Sequence, residues 1–332
     1  MMRIVLFASG YPSWVQTDYE ILARICPVDR VDTRSLNPLT LFKNIRSLLE
    51  SNLCFFWFGS FRHIPYLILA QILGKKILIV AGGYDVNKLP AIHYGAFCEN
   101  PISQMLRRWL FARADTILAV SEFAQRMAVE NLNTSTEKVR TVYLGFNKPK
   151  VNLIPWEKRA VRVVFLISAR PNMRLVKGLD RIPQLCRLLP QVQFQIIGSL
   201  TPEVLSDLQN ENLPNLQCVG WVPYESERFA DLLNNSRMVC LTSRTESFGA
   251  ALIDGARYGC LPVASPSGAI PEILSQVGLC ASSEEISDLA SLIQKNINAP
   301  HFDVHLIQKN ALARFSESQR ASNIEAVARP LL

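Results

Sequence analysis

Residues 238–264 read MVCLTSRTESFGAALIDGARYGCLPVA and contain one complete strand–helix–strand unit. Met238–Thr242 is an apolar run of strand length, Phe248–Tyr258 has helical periodicity, and Leu261–Ala264 is a second apolar run. Two apolar strands joined by a helix are typical of a parallel sheet, because its strands are buried on both faces. This stretch therefore predicts an α/β fold.

The same alternation of strand-length and helix-length segments continues along the whole chain. The remaining predicted strands are Ile4–Ala8, Leu53–Phe58, Lys76–Ala81, Thr116–Val120, Val139–Leu144, Val161–Ser168, Gln193–Gly198 and Asn215–Val219. The pattern predicts two tandem Rossmann-like, doubly wound domains that face each other across a cleft. Ligands of such sheets bind beyond the carboxyl ends of the strands, so the function is expected in that cleft.

The domain boundary is predicted from a change in composition. Residues 148–159, KPKVNLIPWEKR, are polar, contain two prolines and lack periodicity. We therefore expect an N-terminal domain at 1–148, a linker at 149–160 and a C-terminal domain at 161–315, with a terminal helix at 316–332.

Composition excludes several protein classes. The 332 residues are 49% apolar and 19% charged, which excludes collagen, a coiled coil and wholesale disorder. Residues 1–150 hold 18 Lys and Arg against 11 Asp and Glu, whereas the rest holds 17 of each. The basic first half predicts an anionic partner, such as a phosphate, an acidic glycan or an anionic membrane surface. Nucleic acid is not expected, because no motif for it is present.

The cysteine pattern and the hydropathy of the chain indicate the cellular compartment in which the protein is located. The eight cysteines occur singly, without a Cys-x-x-Cys pair, which favours thiols in a reducing environment. The N-terminus lacks a signal-peptide pattern, and the most apolar stretch, Ile64–Ala81, is interrupted by Lys75 and Lys76. We expect a cytoplasmic protein without a transmembrane helix.

The loop and helix after Thr242 carry a candidate binding site. The amides of Phe248, Gly249 and Ala250 at the predicted helix start would form an anion site that fits a diphosphate. Asp254, farther along the helix, could accept hydrogen bonds from ribose hydroxyls, and Glu246 would face the group on the distal phosphate. A capped helix with a surface aspartate is the structural alternative.

Two cations follow the first strand of the same domain. Arg170 comes directly after the strand ending at Ser168, and Lys177 lies at the start of the next predicted helix. Both could contact phosphate oxygens and stabilise a departing nucleoside diphosphate without a metal. Alternatively, they are solvated surface cations.

An ordered set of motifs in residues 161–280 resembles the family 4 retaining glycosyltransferases of the GT-B fold, also called glycosyl transferases group 1. The matching segments are Ser168–Arg170, Lys177–Gly178, Asn215–Tyr224 (NLQCVGWVPY), Glu246–Asp254 and Gly268–Glu272 (GAIPE). The first half resembles the family more loosely, through Gly82–Asp85, Val120–Phe123 and Tyr143–Asn147.

The resemblance implies a retaining transfer of a sugar from a nucleoside diphosphate to an acceptor hydroxyl, without a metal or other cofactor. It implies that Arg170, Lys177 and the amides of Phe248 and Gly249 bind the diphosphate. It also implies that Glu246 contacts the donor sugar and Asp254 the ribose. The first domain would bind a glycan or lipid-linked acceptor of cell-envelope polysaccharide, lipopolysaccharide or glycolipid synthesis, and the helix at 316–332 would cross back to it.

Three departures from the family pattern keep alternatives open. Asp254 replaces the usual glutamate, Ser9–Trp14 replaces a Gly-Gly loop, and a histidine often found after the fourth strand is absent. Asp85 is the candidate replacement for that histidine at the transferred sugar, although an aspartate there could also stabilise a turn. A transferase with a small soluble acceptor and a catalytically silent nucleotide-sugar scaffold remain the rival interpretations.

One basic amphipathic segment is a candidate membrane contact. Ile102–Ala114 places Arg107, Arg108 and Arg113 beside Trp109 and neighbouring apolar residues. Such a helix could rest on the cytoplasmic face of an anionic membrane and present a lipid-linked acceptor. The alternative is an ordinary helix that buries Met105, Leu106 and Leu110.

Overall fold

The computed structural model describes residues 2–10, 12–34 and 37–332 and divides the chain into two compact units. Unit 1 comprises Met1–Gly145 and Glu317–Leu332, and unit 2 comprises Phe146–Ser316. Among the described residues, no helix combines the length and apolar character needed to cross a bilayer.

Unit 1 is a six-stranded parallel sheet with helices in its crossovers. Its strands are β1 (Ile4–Ala8), β2 (Val28–Asp32), β3 (Leu53–Trp57), β4 (Lys76–Ala81), β5 (Thr116–Ala119) and β6 (Val139–Thr141). Its helices are α1 (Ser13–Ala23), α2 (Pro38–Glu50), α3 (Ile64–Ile72), α4 (Pro101–Ala112), α5 (Glu122–Leu132) and the C-terminal α13 (Glu317–Ala328).

Unit 2 is a second six-stranded parallel sheet. Its strands are β7 (Ala160–Leu166), β8 (Gln193–Ile197), β9 (Leu216–Gly220), β10 (Ser236–Leu241), β11 (Leu261–Ala264) and β12 (Leu279–Cys280). Its helices are α6 (Ile182–Leu188), α7 (Pro202–Asn210), α8 (Glu227–Asn234), α9 (Ala250–Ala256), α10 (Ile270–Leu274), α11 (Ile286–Ile297) and α12 (Val304–Phe315).

The strand order of unit 2 determines where a ligand can bind. The order is β12-β11-β10-β7-β8-β9, so the chain builds outward from β7 on one side and from β10 on the other. The strands that follow β7 and the strands that follow β10 extend to opposite sides of this pair. Right-handed crossover connections from β7 and from β10 therefore lie on opposite faces of the sheet. The carboxyl ends at such a switch point are the usual ligand site of open parallel sheets.

Two strands were missed by the sequence prediction, and both lie at sheet edges. β2 has the sequence VDRVD, with three charged residues in five and only Val31 buried. β12 is two residues long. An edge strand has one neighbour, so it tolerates polar side chains and lacks the continuous apolar run that identifies a central strand.

The segment predicted as the linker, residues 149–160, is part of unit 2. Trp156 is buried, and its indole nitrogen donates to the Ala299 carbonyl at 2.9 Å. The buried Arg159 guanidinium donates to the backbone carbonyls of Ser236 at 3.1 Å and Tyr258 at 3.0 Å. These contacts order the segment.

A buried ion pair attaches the C-terminal helix to unit 1. Arg320 on α13 and Asp18 on α1 form two contacts, of 2.5 and 2.7 Å, and both side chains are almost fully buried. The Trp57 indole donates to Asp18 at 2.9 Å, and Arg320 also donates to the carbonyls of Val142 and Tyr143. The hydrogen bonds compensate both charges for the loss of water.

We expect Arg320→Met to lower the free energy of unfolding by about 3 to 5 kcal/mol, because it leaves the Asp18 carboxylate buried without its counter-ion. Urea denaturation measures this change. Arg329→Ala is the matched control, since Arg329 is exposed and pairs with Glu325 on the helix surface. Equal effects of the two substitutions would show that the buried pair contributes nothing.

Candidate functional site

Arg170 and Lys177 lie on the loop that leaves β7 at the switch point of unit 2. Arg170 precedes a short 3₁₀ turn, Pro171–Met173, and its side chain is exposed. Within the described part of the chain, it makes no ion pair. The loop then turns back, with the Lys177 amide donating to the Met173 carbonyl at 2.9 Å. The guanidinium of Arg170 is therefore available to an anion.

Lys177 meets Glu246 beyond the end of β10. The Lys177 Nζ donates to Glu246 Oε1 at 2.8 Å, and Ser243 Oγ donates to the same oxygen at 2.8 Å. The Glu246 side chain is only 12% exposed. The two predicted site residues, 69 positions apart in the chain, are thus in direct contact.

Two glycines make this contact possible, because each approaches a neighbouring backbone too closely for a side chain. Gly178 has φ +61°, and a Cβ there would lie 2.0 Å from the Thr242 carbonyl oxygen. Gly268 has φ +59°, and a Cβ there would lie 2.3 Å from the Glu246 carbonyl oxygen. The Ala269 amide donates to that Glu246 oxygen at 2.8 Å. The Lys-Gly and Gly-Ala-Ile-Pro-Glu segments therefore hold the Glu246 loop from two sides.

Gly268→Ala tests this close approach. Its left-handed φ alone costs about 1 kcal/mol for alanine, and the clash with Glu246 backbone is expected to add about 1 to 3 kcal/mol of destabilisation. Gly220→Ala is the control, because Gly220 has φ +84° and a Cβ there would meet nothing within 4 Å. Urea denaturation compares the two variants, and equal losses would exclude the steric contribution.

Asp254 lies in a network of polar side chains at the end of α9. The Tyr224 hydroxyl donates to Asp254 Oδ1 at 2.7 Å, and Arg257 Nε lies 3.3 Å from the same oxygen. Arg257 is almost fully buried, pairs with Glu225 and donates to the Asn147 carbonyl at 2.8 Å. The described contacts of the Asp254 carboxylate thus fall on Oδ1, and Oδ2 makes none with the described residues.

Sequence reasoning missed Arg257 as a partner of Asp254. The i,i+3 spacing is a signal that could have found it. Helical spacing alone does not reveal the burial of the arginine or its further bonds to Glu225 and Asn147, which come from distant segments.

Burial raises the pKa of the Asp254 carboxyl to about 6, although Arg257 and the Tyr224 hydrogen bond act in the opposite direction. The carboxyl is mostly shielded from water, with 14% of its side chain exposed. Because the folded state binds this proton more tightly than the unfolded chain, the carboxyl stabilises the fold at low pH. That contribution is lost as the pH rises through about 6.

Relative to Asp254→Asn, the wild-type free energy of unfolding is expected to fall on the order of 3 kcal/mol between about pH 4 and pH 7. Urea denaturation at a series of pH values measures this difference. Tyr224→Phe removes a hydrogen bond that favours the ionised form, so it should move the fall to higher pH. Parallel wild-type and Asn curves would contradict the pKa shift.

The helix after Glu246 is shorter than predicted. α9 begins at Ala250 and ends at Ala256, whereas the sequence predicted a start at Phe248 and an end near Tyr258. Gly249 precedes the helix with φ +86°, and the Phe248 side chain is buried against the rings of Phe146 and Phe315. The left-handed glycine starts the helix later. Phosphate binding by the Phe248 and Gly249 amides stays a prediction.

Asp85 lies in the interior of unit 1. Its carboxylate accepts hydrogen bonds from the Gly59 and Gly83 amides, both at 2.9 Å, and the residue is buried. Burial raises the pKa of this carboxyl, and the two amide bonds oppose that shift. These contacts join the loops after β3 and β4, as the turn-stabilising alternative requires. The predicted contact with a transferred sugar stays a prediction.

Two other features of unit 1 were singled out in the sequence, the loop Ser9–Trp14 and helix α4. The loop Ser9–Trp14 includes Tyr11, which lies outside the described residues; its Ser9 hydroxyl lies 3.0 Å from that of Thr33. On α4, the alternative of an ordinary helix that buries Met105, Leu106 and Leu110 is confirmed for Leu110 and is wrong for Met105, which is 59% exposed. The helix also buries Phe111.

The three arginines of α4 are engaged within unit 1. Arg107 is buried and bonds to Glu99 at 3.1 Å and to the Gly59 carbonyl at 2.8 Å. Arg108 donates to the Asn131 carbonyl at 2.9 Å, and Arg113 stacks on the Trp109 ring at 3.3 Å. The three arginines of α4 are therefore engaged in contacts that stabilise unit 1.

Residues 161–298 match the family described as Glycosyl transferases group 1. This match confirms the predicted resemblance to glycosyl transferases group 1 for that segment, which includes Arg170, Lys177, Glu246 and Asp254.

Curated relatives of the chain include glycosyltransferases. It is 28% identical over 200 residues to a subunit of the phosphatidylinositol N-acetylglucosaminyltransferase of Arabidopsis thaliana, covering 54% of this chain and 43% of that protein. It is 22% identical over 193 residues to MMP alpha-(1->4)-mannosyltransferase of Mycolicibacterium hassiacum, covering 55% and 46%. The chain thus spans less than half the length of these relatives.

Solved structures match the fold over the full chain. The Anabaena protein Alr3699/HepE, crystallised with UDP and glucose, gives a TM-score of 0.77 at 16% identity, covering 99% of this chain and 100% of that one. The lipopolysaccharide outer core galactosyltransferase WaaB gives 0.68 at 13% identity, covering 100% of both. These similarities confirm the predicted α/β fold class with two Rossmann-like domains of the GT-B type.

Proposed function

We propose that the chain is a retaining, metal-independent glycosyltransferase that moves a sugar from a nucleoside-diphosphate sugar to an acceptor hydroxyl. The observation that carries the proposal is the contact between Lys177 and Glu246 at the switch point of unit 2. A cation and a nearly buried carboxylate are held there, and the exposed Arg170 lies on the same loop as Lys177. This combination suits a ligand with a diphosphate and a hydroxyl-rich group attached to it.

Each residue has a separate role in the proposal. Arg170 and Lys177 would bind the diphosphate and stabilise the charge that grows on it as the bond to the anomeric carbon breaks. Glu246 would accept hydrogen bonds from the sugar hydroxyls while it stays in contact with Lys177. Asp254 would bind the ribose through Oδ2, while Tyr224 and Arg257 hold its other oxygen.

The transfer balances without a further reactant. The anomeric carbon loses its bond to the diphosphate oxygen and gains one to the acceptor oxygen, and the acceptor proton leaves with the diphosphate. The two side-chain cations would supply the positive charge that a metal supplies elsewhere. Asp85 has no part in this proposal, because both of its carboxylate oxygens accept backbone hydrogen bonds in unit 1.

The acceptor is proposed to be glycan or lipid-linked and to belong to cell-envelope polysaccharide, lipopolysaccharide or glycolipid synthesis. Support comes from the names of similar proteins, which include a lipopolysaccharide galactosyltransferase and part of a phosphatidylinositol N-acetylglucosaminyltransferase. The proposed location is the cytoplasm, with peripheral attachment to the membrane.

Calorimetric titration without added metal, against UDP, GDP and ADP, tests the nucleotide site. We expect one nucleotide to bind with micromolar affinity and Arg170→Ala to weaken it about tenfold to a hundredfold, because a charge-assisted contact is lost. Arg187→Ala is the control, since Arg187 is an exposed arginine of the same unit that pairs with Glu211. Unchanged affinity in Arg170→Ala would remove that residue from the site.

Turnover of the matching nucleotide sugar separates an enzyme from a silent scaffold. In the presence of EDTA, Glu246→Gln should reduce kcat much more than nucleotide affinity, because Glu246 contacts the sugar. Nucleotide binding without turnover across donor sugars and acceptors would favour the scaffold, whose best support is the close engagement of Asp254 by Tyr224 and Arg257.

A further inference from the structure

Two neighbouring helices of unit 1 expose large apolar side chains that the proposed transfer does not use. On α2, Leu39, Phe42 and Leu49 are exposed, Leu39 by 78% and Phe42 by 70%. On α3, Ile68 and Ile72 are exposed, Ile72 by 75%. We call these five residues the α2–α3 face. Exposed apolar clusters of this kind mark interaction sites in soluble proteins.

The five side chains belong to one surface because α2 and α3 run side by side. Asn44 of α2 donates to the Tyr66 hydroxyl of α3 at 3.0 Å, in a buried position. Lys75, just after α3, donates to the Leu49 carbonyl at the end of α2 at 2.9 Å. Asn44 precedes Leu49 in α2, and their partners Tyr66 and Lys75 follow each other in the same order. The two helices are therefore parallel.

Each helix turns its other side to the core, so the exposed side chains form outward stripes. Asn44 and Leu48 are buried on α2, and Leu67 and Ala70 are buried on α3. Leu39, Phe42 and Leu49 recur at spacings that return to one helix face, as do Ile68 and Ile72. Burial of the opposite stripe leaves these five side chains exposed on the described surface of unit 1.

The charges around this surface are mainly positive. Residues 37–75 contain four basic residues and a single acidic one, Glu50, which pairs with Arg46 at 2.8 Å. Lys43 and Arg62 are exposed and make no ion pair with any described residue. Lysine is depleted at protein interfaces, whereas lysine and arginine beside apolar side chains are typical of helices that lie on membranes.

We propose that the α2–α3 face docks unit 1 on the surface of an anionic bilayer. Leu39, Phe42, Leu49, Ile68 and Ile72 enter the boundary between headgroups and acyl chains, and Lys43 and Arg62 contact the lipid phosphates. This inference deepens the membrane part of the proposed function and rests on it. It also moves the contact from α4, whose arginines are engaged within unit 1, to α2 and α3.

Sedimentation of the full chain with lipid vesicles tests the docking surface. Wild type should bind vesicles of phosphatidylcholine and phosphatidylglycerol at least about tenfold more tightly than vesicles of phosphatidylcholine alone. Phe42→Ser combined with Ile72→Ser should reduce this binding by about tenfold or more, because two apolar side chains no longer enter the bilayer. Lys43→Glu combined with Arg62→Glu should remove the preference for the anionic vesicles.

Ile102→Ser combined with Met105→Ser is the matched control, since it removes two similarly exposed apolar side chains from α4. Unchanged thermal unfolding verifies that each variant is folded. Equal losses in the two serine variants, or equal wild-type binding to both vesicle types, would overturn the proposal. A wild-type dimer that Phe42→Ser with Ile72→Ser makes monomeric would also overturn it and assign the face to a second copy. Nucleotide titration without vesicles tests the transferase proposal separately.

Discussion

The divergence of the strand order between β7 and β10 is the constraint on which the rest of the site depends. At that point the crossover helices leave on opposite faces, so the carboxyl ends of the two strands open to a ligand. The loops that follow these strands carry Lys177 and Glu246, and Gly178 and Gly268 let them approach backbone within van der Waals contact. Because Gly178 and Gly268 lack a Cβ, the Lys177 ammonium and the Glu246 carboxylate can come into contact.

Asp254 is the second carboxylate of the site, and its side chain is shorter than the glutamate that is usual in the family. Its neighbours hold it in place. Asp254 lies at the end of a short helix, where Tyr224 and Arg257 both contact Oδ1 and Glu225 holds the guanidinium. Burial raises the pKa of the Asp254 carboxyl, whereas Arg257 and Tyr224 lower it, and burial has the larger effect. The network orients the carboxylate, leaving one oxygen for a ligand.

In unit 1, the location of a charge says little about its role until its partners are known. Arg107, Arg108 and Arg320 serve the fold through backbone carbonyls and buried carboxylates. Lys43 and Arg62 remain at the surface, beside exposed apolar side chains. The excess of basic residues in the first half therefore divides into structural charges and a smaller set that can meet a partner.

Residue order was sufficient to predict the α/β class, the central strands and the motifs that carry Arg170, Lys177 and Glu246. These features are local, because a buried parallel strand is a continuous apolar run and a left-handed turn favours glycine. The edge strands, the Tyr224 partner of Asp254 and the partners of Arg107 and Arg108 became apparent only in three dimensions. They depend on contacts between segments that are distant in the chain, which residue order alone does not specify.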